Sequence, residues 1–160
     1  MSDVQQRRRA IGLPGVALVL LGALLVLLSF RFLDWYDVPA SADSSGDVTF
    51  SKLHASAEQL GGAGVATAYF AWLAWVLLLA VIVVGVAANV PSPAADGLRV
   101  AGFLVGALGV AGTYYALAQH FDATGSTHDV LHNSTWGLWA ALLGFLIAAG
   151  GAGLGPRRAT

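Results

Sequence analysis

Hydrophobic and polar positions divide the chain into four long uncharged runs that are separated by polar segments. At ~1.5 Å per helical residue, about 20 residues cross a ~30 Å hydrocarbon layer, and every run is at least that long. The longest run is apolar on all sides, whereas a soluble amphipathic helix has one polar face. The pattern therefore predicts four membrane-spanning helices, at residues 10–30, 65–90, 100–119 and 136–155.

The polar segments between these runs predict the loops. Residues 31–64 are the one substantial polar segment and are expected to fold into a small extracytoplasmic cap. They begin with aromatic side chains, among them Trp35 and Tyr36, that would suit the lipid headgroup layer. Further on, residues 48–50 predict a short strand, and Ser51 is a plausible N-cap for a helix with one apolar face. The two shorter loops are residues 91–99 and 120–135.

The first apolar run has a second interpretation, as a cleaved signal peptide. Residues 40–42, Ala-Ser-Ala, imitate a small-residue cleavage site. However, a long gap that contains Arg31, Asp34 and Asp37 separates this site from the apolar run. We therefore favour an uncleaved helix. Residues 1–160 are then a single all-α domain, a four-helix transmembrane bundle with a cap built from the first loop.

Composition agrees with a membrane protein and excludes several kinds of chemistry. Hydrophobic residues make up 57% of the chain and charged residues 11%, against about 45–50% and 25% in soluble domains. A net charge of −1 gives no reason to expect a nucleic-acid partner. The absence of cysteine excludes disulfides, thiol chemistry and cysteine-ligated metals.

Basic residues near the span ends predict the orientation. The rule that positive charges stay inside predicts that both termini are cytoplasmic and that both longer loops lie outside the cell (inner) membrane. Only Arg31 and Lys52 are expected on the outer side. The basic residues expected on the inner side are Arg7, Arg8, Arg9, Arg99, Arg157 and Arg158. The aromatic residues that head the second span are then expected at the outer boundary; they are Tyr69, Phe70, Trp72 and Trp75.

Small residues predict how the spans pack. Because lipid is as apolar as leucine, spans associate through close packing, which small side chains permit. The third span carries a GxxxG pair and a further glycine, and the fourth span carries small residues at four-residue spacing. We expect these two faces to meet. Their residues are Gly102, Gly106 and Gly109 on the third span, and Ala140, Gly144 and Ala148 on the fourth.

The sequence offers little for catalysis. Transporters and proton relays usually need ionisable residues inside the membrane, and this chain has none well within a span. Serine-hydrolase, phosphate-binding and zinc-protease motifs do not occur. We therefore expect a protein that is not an enzyme and has no organic cofactor.

The outer loops contain one candidate metal site. His128 and His132 are four residues apart, a spacing that can bind Zn²⁺ or Cu²⁺ from one helical face. His54, His120 and Asp122 are the further candidate ligands. The alternatives are an ordinary solvated loop and a pH sensor, since histidines titrate near neutrality.

The arrangement of four spans, inside termini and a longer first outer loop resembles the small four-span membrane proteins common in actinobacteria. It is also similar to the claudins, although in topology alone. The claudin first-loop signature of Trp, Gly-Leu-Trp and two cysteines is absent, and Gly137, Leu138 and Trp139 belong to the fourth span.

Without a catalytic set, the expected function is that of an accessory or scaffolding subunit in a larger membrane or envelope assembly. Its expected partners are the lipid bilayer and other membrane proteins or further copies of itself. The alternative is an extracytoplasmic sensor of metal or pH that uses the outer-loop histidines.

Overall fold

The computed structural model describes residues 12–38, 46–59, 64–123, 131 and 134–155. Four of its helices are long and apolar enough to cross a membrane, which confirms the predicted number and indicates a multi-pass membrane protein. A two-stranded sheet is also present, which the all-α fold class did not include; its second strand overlaps the short strand predicted at residues 48–50. The elements in chain order are α1 (Leu13–Phe32), β1 (Asp34–Val38), β2 (Gly46–Thr49), α2 (Phe50–Gln59), α3 (Val65–Ala88), α4 (Ala95–Ala123) and α5 (Trp136–Gly153).

Two of the long helices depart from plain spanning helices. Helix α3 contains a π-helical turn at Tyr69–Leu73, which inserts an extra residue and shifts the faces on either side of it. Helix α4 has 29 residues and begins before the predicted span, with Arg99 paired to Asp96 at 3.0 Å in its first turns. At ~1.5 Å per residue it is about 43 Å long, so it extends beyond a ~30 Å hydrocarbon layer.

Helices α1 and α5, the first and last helices in the described part of the chain, pack backbone against backbone. A Cβ atom built on Gly144 would lie 2.6 Å from the carbonyl oxygen of Gly22, and one built on Gly22 would clash with Gly144 in return. The same reciprocal relation holds between Gly15 and Gly151, where each added Cβ would lie 2.7 Å from the other residue's carbonyl oxygen. Glycine is therefore required on both helices at both crossings.

A third layer continues this packing towards α2 and the sheet. The Ser29 hydroxyl donates a 2.6 Å hydrogen bond to the carbonyl oxygen of Gly137. The three layers are seven residues apart on both helices, the repeat that keeps two helices in register along a left-handed crossing. We call this set the α1–α5 seam; it consists of Gly15, Gly22 and Ser29 with Gly151, Gly144 and Gly137.

The α1–α5 seam occupies a face of α5 that the sequence pattern predicts to pack against the third span. The glycines of the third span do face α5, since added Cβ atoms on Gly102 and Gly106 would lie 2.7 and 2.6 Å from Ala152 and Ala149. Gly109 similarly lies against the ring of Phe145. The face of α5 that carries Gly144 and Ala148 instead lies against α1, at Gly22, and Ala140 is half-buried. The two predicted faces therefore do not meet each other, because α1 occupies one of them.

The sheet and α2 cover one end of the bundle, which we call the cap end. Strands β1 and β2 are antiparallel, with an irregularity in register between Asp34 and Tyr36. Helix α2 begins at Phe50, so Ser51 lies inside it, and the prediction of Ser51 as the N-cap is wrong. The hydroxyl of Thr49, the residue before the helix, instead accepts a 3.4 Å hydrogen bond from the Lys52 backbone N–H.

Candidate interaction surface at the cap end

The cap is held to the bundle by packed aromatic rings. We call them the aromatic cluster, and their neighbouring ring centroids lie 4.3 to 6.3 Å apart. The cluster joins α1, β1, α2 and α3, so one apolar core is shared by the cap and the spans. Its members are Phe30, Trp35, Phe50, Phe70 and Trp75.

Several aromatic side chains at the cap end are more buried than the sequence predicted. Trp35 and Tyr36 were predicted in the headgroup layer, but Trp35 is 0% exposed and Tyr36 is 4% exposed. Burial also raises the pKa of the Tyr36 phenol. Tyr69 and Phe70 are likewise buried, whereas Trp72 is exposed towards the surroundings of the bundle. Indole and phenol rings suit both a membrane boundary and a core, so their position along the chain did not distinguish the two.

Backbone contacts fix β1 to the start of α5. The Thr135 backbone N–H donates a 3.0 Å hydrogen bond to the Trp35 carbonyl oxygen, and the Thr135 hydroxyl donates to the carbonyl oxygen of Asp34. Tyr36 and Ser134 form an antiparallel bridge on the same side of the strand. The first strand is therefore held on one edge by β2 and on the other by the segment before α5.

Beside this junction lies an open groove with two continuous parts. The larger part, about 610 Å³, runs along the start of α5 and is lined by Ser134, Thr135, Trp136, Trp139 and Leu143. The smaller part, about 210 Å³, is lined by Phe32, Leu33, Asp34, Asp37, Thr135 and Trp136. Trp136, 84% exposed, and Phe32, 75% exposed, stand at its rim. We call the two parts together the rim groove.

Two carboxylates line the rim groove, and a basic residue precedes its rim in the sequence. Asp34 and Asp37 line its smaller part, and Arg31 is exposed one residue before Phe32. Within the described segments, no ion pair is formed by any of these three residues. Their charges are therefore open to a ligand at the cap end.

The histidines predicted to bind metal occupy different environments. His120 is buried near the end of α4, where its Nε2 atom lies 3.3 Å from the Ser56 hydroxyl. His54 is half-exposed on α2 and lies 3.5 Å from the carboxylate of Glu58. Since His54 and Ser56 are two residues apart on a helix, they point to different sides of α2.

Of the other three predicted metal ligands, the structure describes only Asp122. Asp122 is exposed at the end of α4, and His128 and His132 lie outside the described residues. Among the residues that are described, no three histidine, aspartate or glutamate side chains lie close enough to bind one metal ion. The predicted zinc or copper site, which depends on His128 and His132, stays a prediction.

Comparison with known proteins identifies no relative of this chain. No protein-family model, curated protein or solved structure matches this chain. Its function must therefore be argued from its own residues.

Proposed function

We propose that this protein is a non-enzymatic accessory or scaffolding subunit of a larger membrane or envelope assembly. It would lie in the cell membrane with both termini in the cytoplasm and the cap outside. This orientation is supported by the charges of the described residues: among their arginines and lysines, Arg99 lies near the start of α4, far from the cap, and Arg31 and Lys52 lie at the cap end.

The observation that supports the proposal best is the extensive attachment of the described part of the cap to the spans. The aromatic cluster and the backbone bonds of Thr135 fix the cap to three of the four spans. A binding surface that is already ordered loses little conformational entropy when a partner binds, so this attachment suits a docking module.

The outward face of α2 is the surface that we expect the partner to contact. Its exposed residues include Lys52, Ala55 and Glu58, while Leu53 and Ala57 are buried beneath them. This small polar face is accessible to water-soluble domains of other envelope proteins. The apolar sides of α1, α3 and α4 are available to spans of the same assembly.

Site-specific photo-crosslinking in intact cells tests this proposal. A photoreactive residue in place of Ala55, exposed on α2, is expected to give a discrete adduct of higher mass with a partner protein. A second position, Leu79, which is 62% exposed on α3, tests the apolar sides that spans of the same assembly would contact. Recovery of the chain alone from both positions, and alone in mild detergent, would contradict a subunit role.

A metal- or pH-responsive sensor is the second candidate, and one observation favours it. His120 joins α4 to α2 through Ser56, and its Nδ1 atom is buried without a hydrogen-bond partner among the described residues. A change at this ring would therefore reach the cap directly. Stoichiometric Zn²⁺ or Cu²⁺ binding to the purified protein that is lost in the double variant His128→Ala, His132→Ala would favour the sensor over the scaffold.

A further inference from the structure

The larger part of the rim groove has the shape of a site for one hydrocarbon chain. Trp136, Trp139 and Leu143 are spaced three and four residues apart, so they lie on one face of α5 and follow its axis for about 10 Å. All three are exposed on the outside of a helix that can span a membrane. An acyl chain parallel to α5 would therefore fill this part of the groove.

The smaller part, which adjoins that apolar face at Thr135 and Trp136, supplies a charged site at the cap end of the bundle. Thr135 and Trp136 line both parts, so a single molecule can occupy them together. The carboxylates of Asp34 and Asp37 line the smaller part, and no described residue neutralises them. A cation is the complementary ligand for this pair.

The ring of Trp136 strengthens this preference. An exposed indole attracts an ammonium group through its π face, and a primary ammonium also carries three N–H donors for carboxylate oxygens. Arg31, exposed at the end of α1, precedes Phe32, which lines the smaller part of the groove, but Arg31 itself does not line it. The two parts of the groove therefore match an apolar chain and an ammonium group, which one zwitterionic phospholipid carries in the same molecule.

We propose that the rim groove binds a glycerophospholipid with a primary ammonium headgroup, in the membrane leaflet at the cap end. The ammonium lies against Asp34 and Asp37, and one acyl chain lies along Trp136, Trp139 and Leu143. The site selects phosphatidylethanolamine over phosphatidylglycerol, because the latter offers the carboxylates no positive charge. This inference goes beyond the scaffolding role and does not depend on a protein partner.

Native mass spectrometry of the full chain in mild detergent tests the inference. Phosphatidylethanolamine and phosphatidylglycerol with identical acyl chains are added together at equal concentration. From the strength of exposed charge pairs, we expect about fivefold more ethanolamine-lipid adduct on the wild-type chain. The preference is expected to disappear in the double variant Asp34→Asn, Asp37→Asn, and total lipid retention is expected to fall in Trp136→Ala.

Matched controls separate this site from general lipid contact. Asp122→Asn removes an exposed carboxylate from α4, and Trp72→Ala removes an exposed indole from α3; both should keep the wild-type preference. Asp37→Asn alone should weaken the preference without unfolding, because the Asp37 side chain is exposed and only its backbone belongs to the sheet.

Three results would overturn the inference. They are equal retention of the two lipids by the wild-type chain, an equal loss of preference in the control variants, and a dimer mass that appears in place of the lipid adduct and depends on Trp136. The last would identify a second copy of the chain as the occupant. None of them bears on the photo-crosslinking experiment, since lipid selectivity is measured on the isolated protein.

Discussion

The α1–α5 seam and the aromatic cluster hold the same molecule together by opposite means. In the seam, glycines bring two backbones so close that no side chain separates them. In the cluster, five large aromatic side chains fill the space between the cap and the spans. Lipid provides no hydrophobic force between helices, so close packing holds the seam, whereas removal of rings from water contributes to the cluster.

The difference predicts opposite weaknesses. A close backbone contact is damaged when atoms are added, because the helices must move apart to accommodate them. An aromatic core is damaged when atoms are removed, because the cavity that remains is only partly filled by relaxation. The two regions therefore need different substitutions to test them.

The largest expected effect is that of Trp35→Ala in the aromatic cluster. Trp35 is fully buried and contacts the rings of Phe30, Phe50 and Phe70, so the variant should lose about 3–5 kcal/mol of unfolding free energy. Denaturant unfolding in mixed micelles measures this loss, and protease cleavage within the cap should increase with it. Trp72→Ala, which removes a 56% exposed indole, is the control. Equal losses in the two variants would contradict the assignment of Trp35 to the core.

The sequence predicted the helices better than their contacts, and the reason is physical. A long uncharged run has few alternatives to a membrane span, since its backbone must satisfy its own hydrogen bonds in lipid. Small residues are less informative, because with 20 glycines many pairings of faces are possible. The seven-residue spacing of Gly15, Gly22 and Ser29 can be read from the sequence. That these residues contact α5 cannot, because the sequence does not say which helices are neighbours.

The candidate interaction surface at the cap end could likewise be predicted only in part from the sequence. Trp136 and Phe32 could be recognised as boundary residues from their positions at span ends, and both are exposed. Trp35 could not be assigned to a core, because that depends on a sheet whose two strands come together only in the folded chain. Asp34 and Asp37 give no motif in the sequence, and they become a candidate site only because β1 is held beside Trp136.

The second effect, in the seam, is that of Gly144→Ala. The added Cβ would lie 2.6 Å from the Gly22 carbonyl oxygen and 3.0 Å from the Val26 backbone nitrogen, and neither atom can rotate away. We expect a loss of about 1–3 kcal/mol in unfolding free energy. Gly150→Ala on the same helix is the control, since its Cβ would meet nothing within 4 Å and alanine favours the helix. A Gly144→Ala variant as stable as this control would contradict the seam.

A smaller effect is expected at the end of the seam away from the cap, where a polar side chain assists the glycines. Asn89 is fully buried, and its amide nitrogen donates to the carbonyl oxygens of Gly85 at 2.8 Å and Gly151 at 3.1 Å. Asn89→Ala removes both bonds and should cost about 1–2 kcal/mol, measured by the same unfolding experiment. No loss of stability would mean that this end of the bundle is held without the two amide hydrogen bonds, by the glycine contacts between α1 and α5 and the packing around them.

The smallest effect concerns the hydrogen bond between α3 and α4, at the level where the aromatic cluster meets the spans. The Thr113 hydroxyl donates at 2.7 Å to the Gly109 carbonyl oxygen, so it accepts from the hydroxyl of Tyr69, which is fully buried. A double-mutant cycle of Tyr69→Phe and Thr113→Val should give a coupling energy of about 0.6 kcal/mol, as typical for interhelical bonds in membranes. A coupling near zero would mean that this bond only satisfies two buried hydroxyls and does not help to hold α3 against α4.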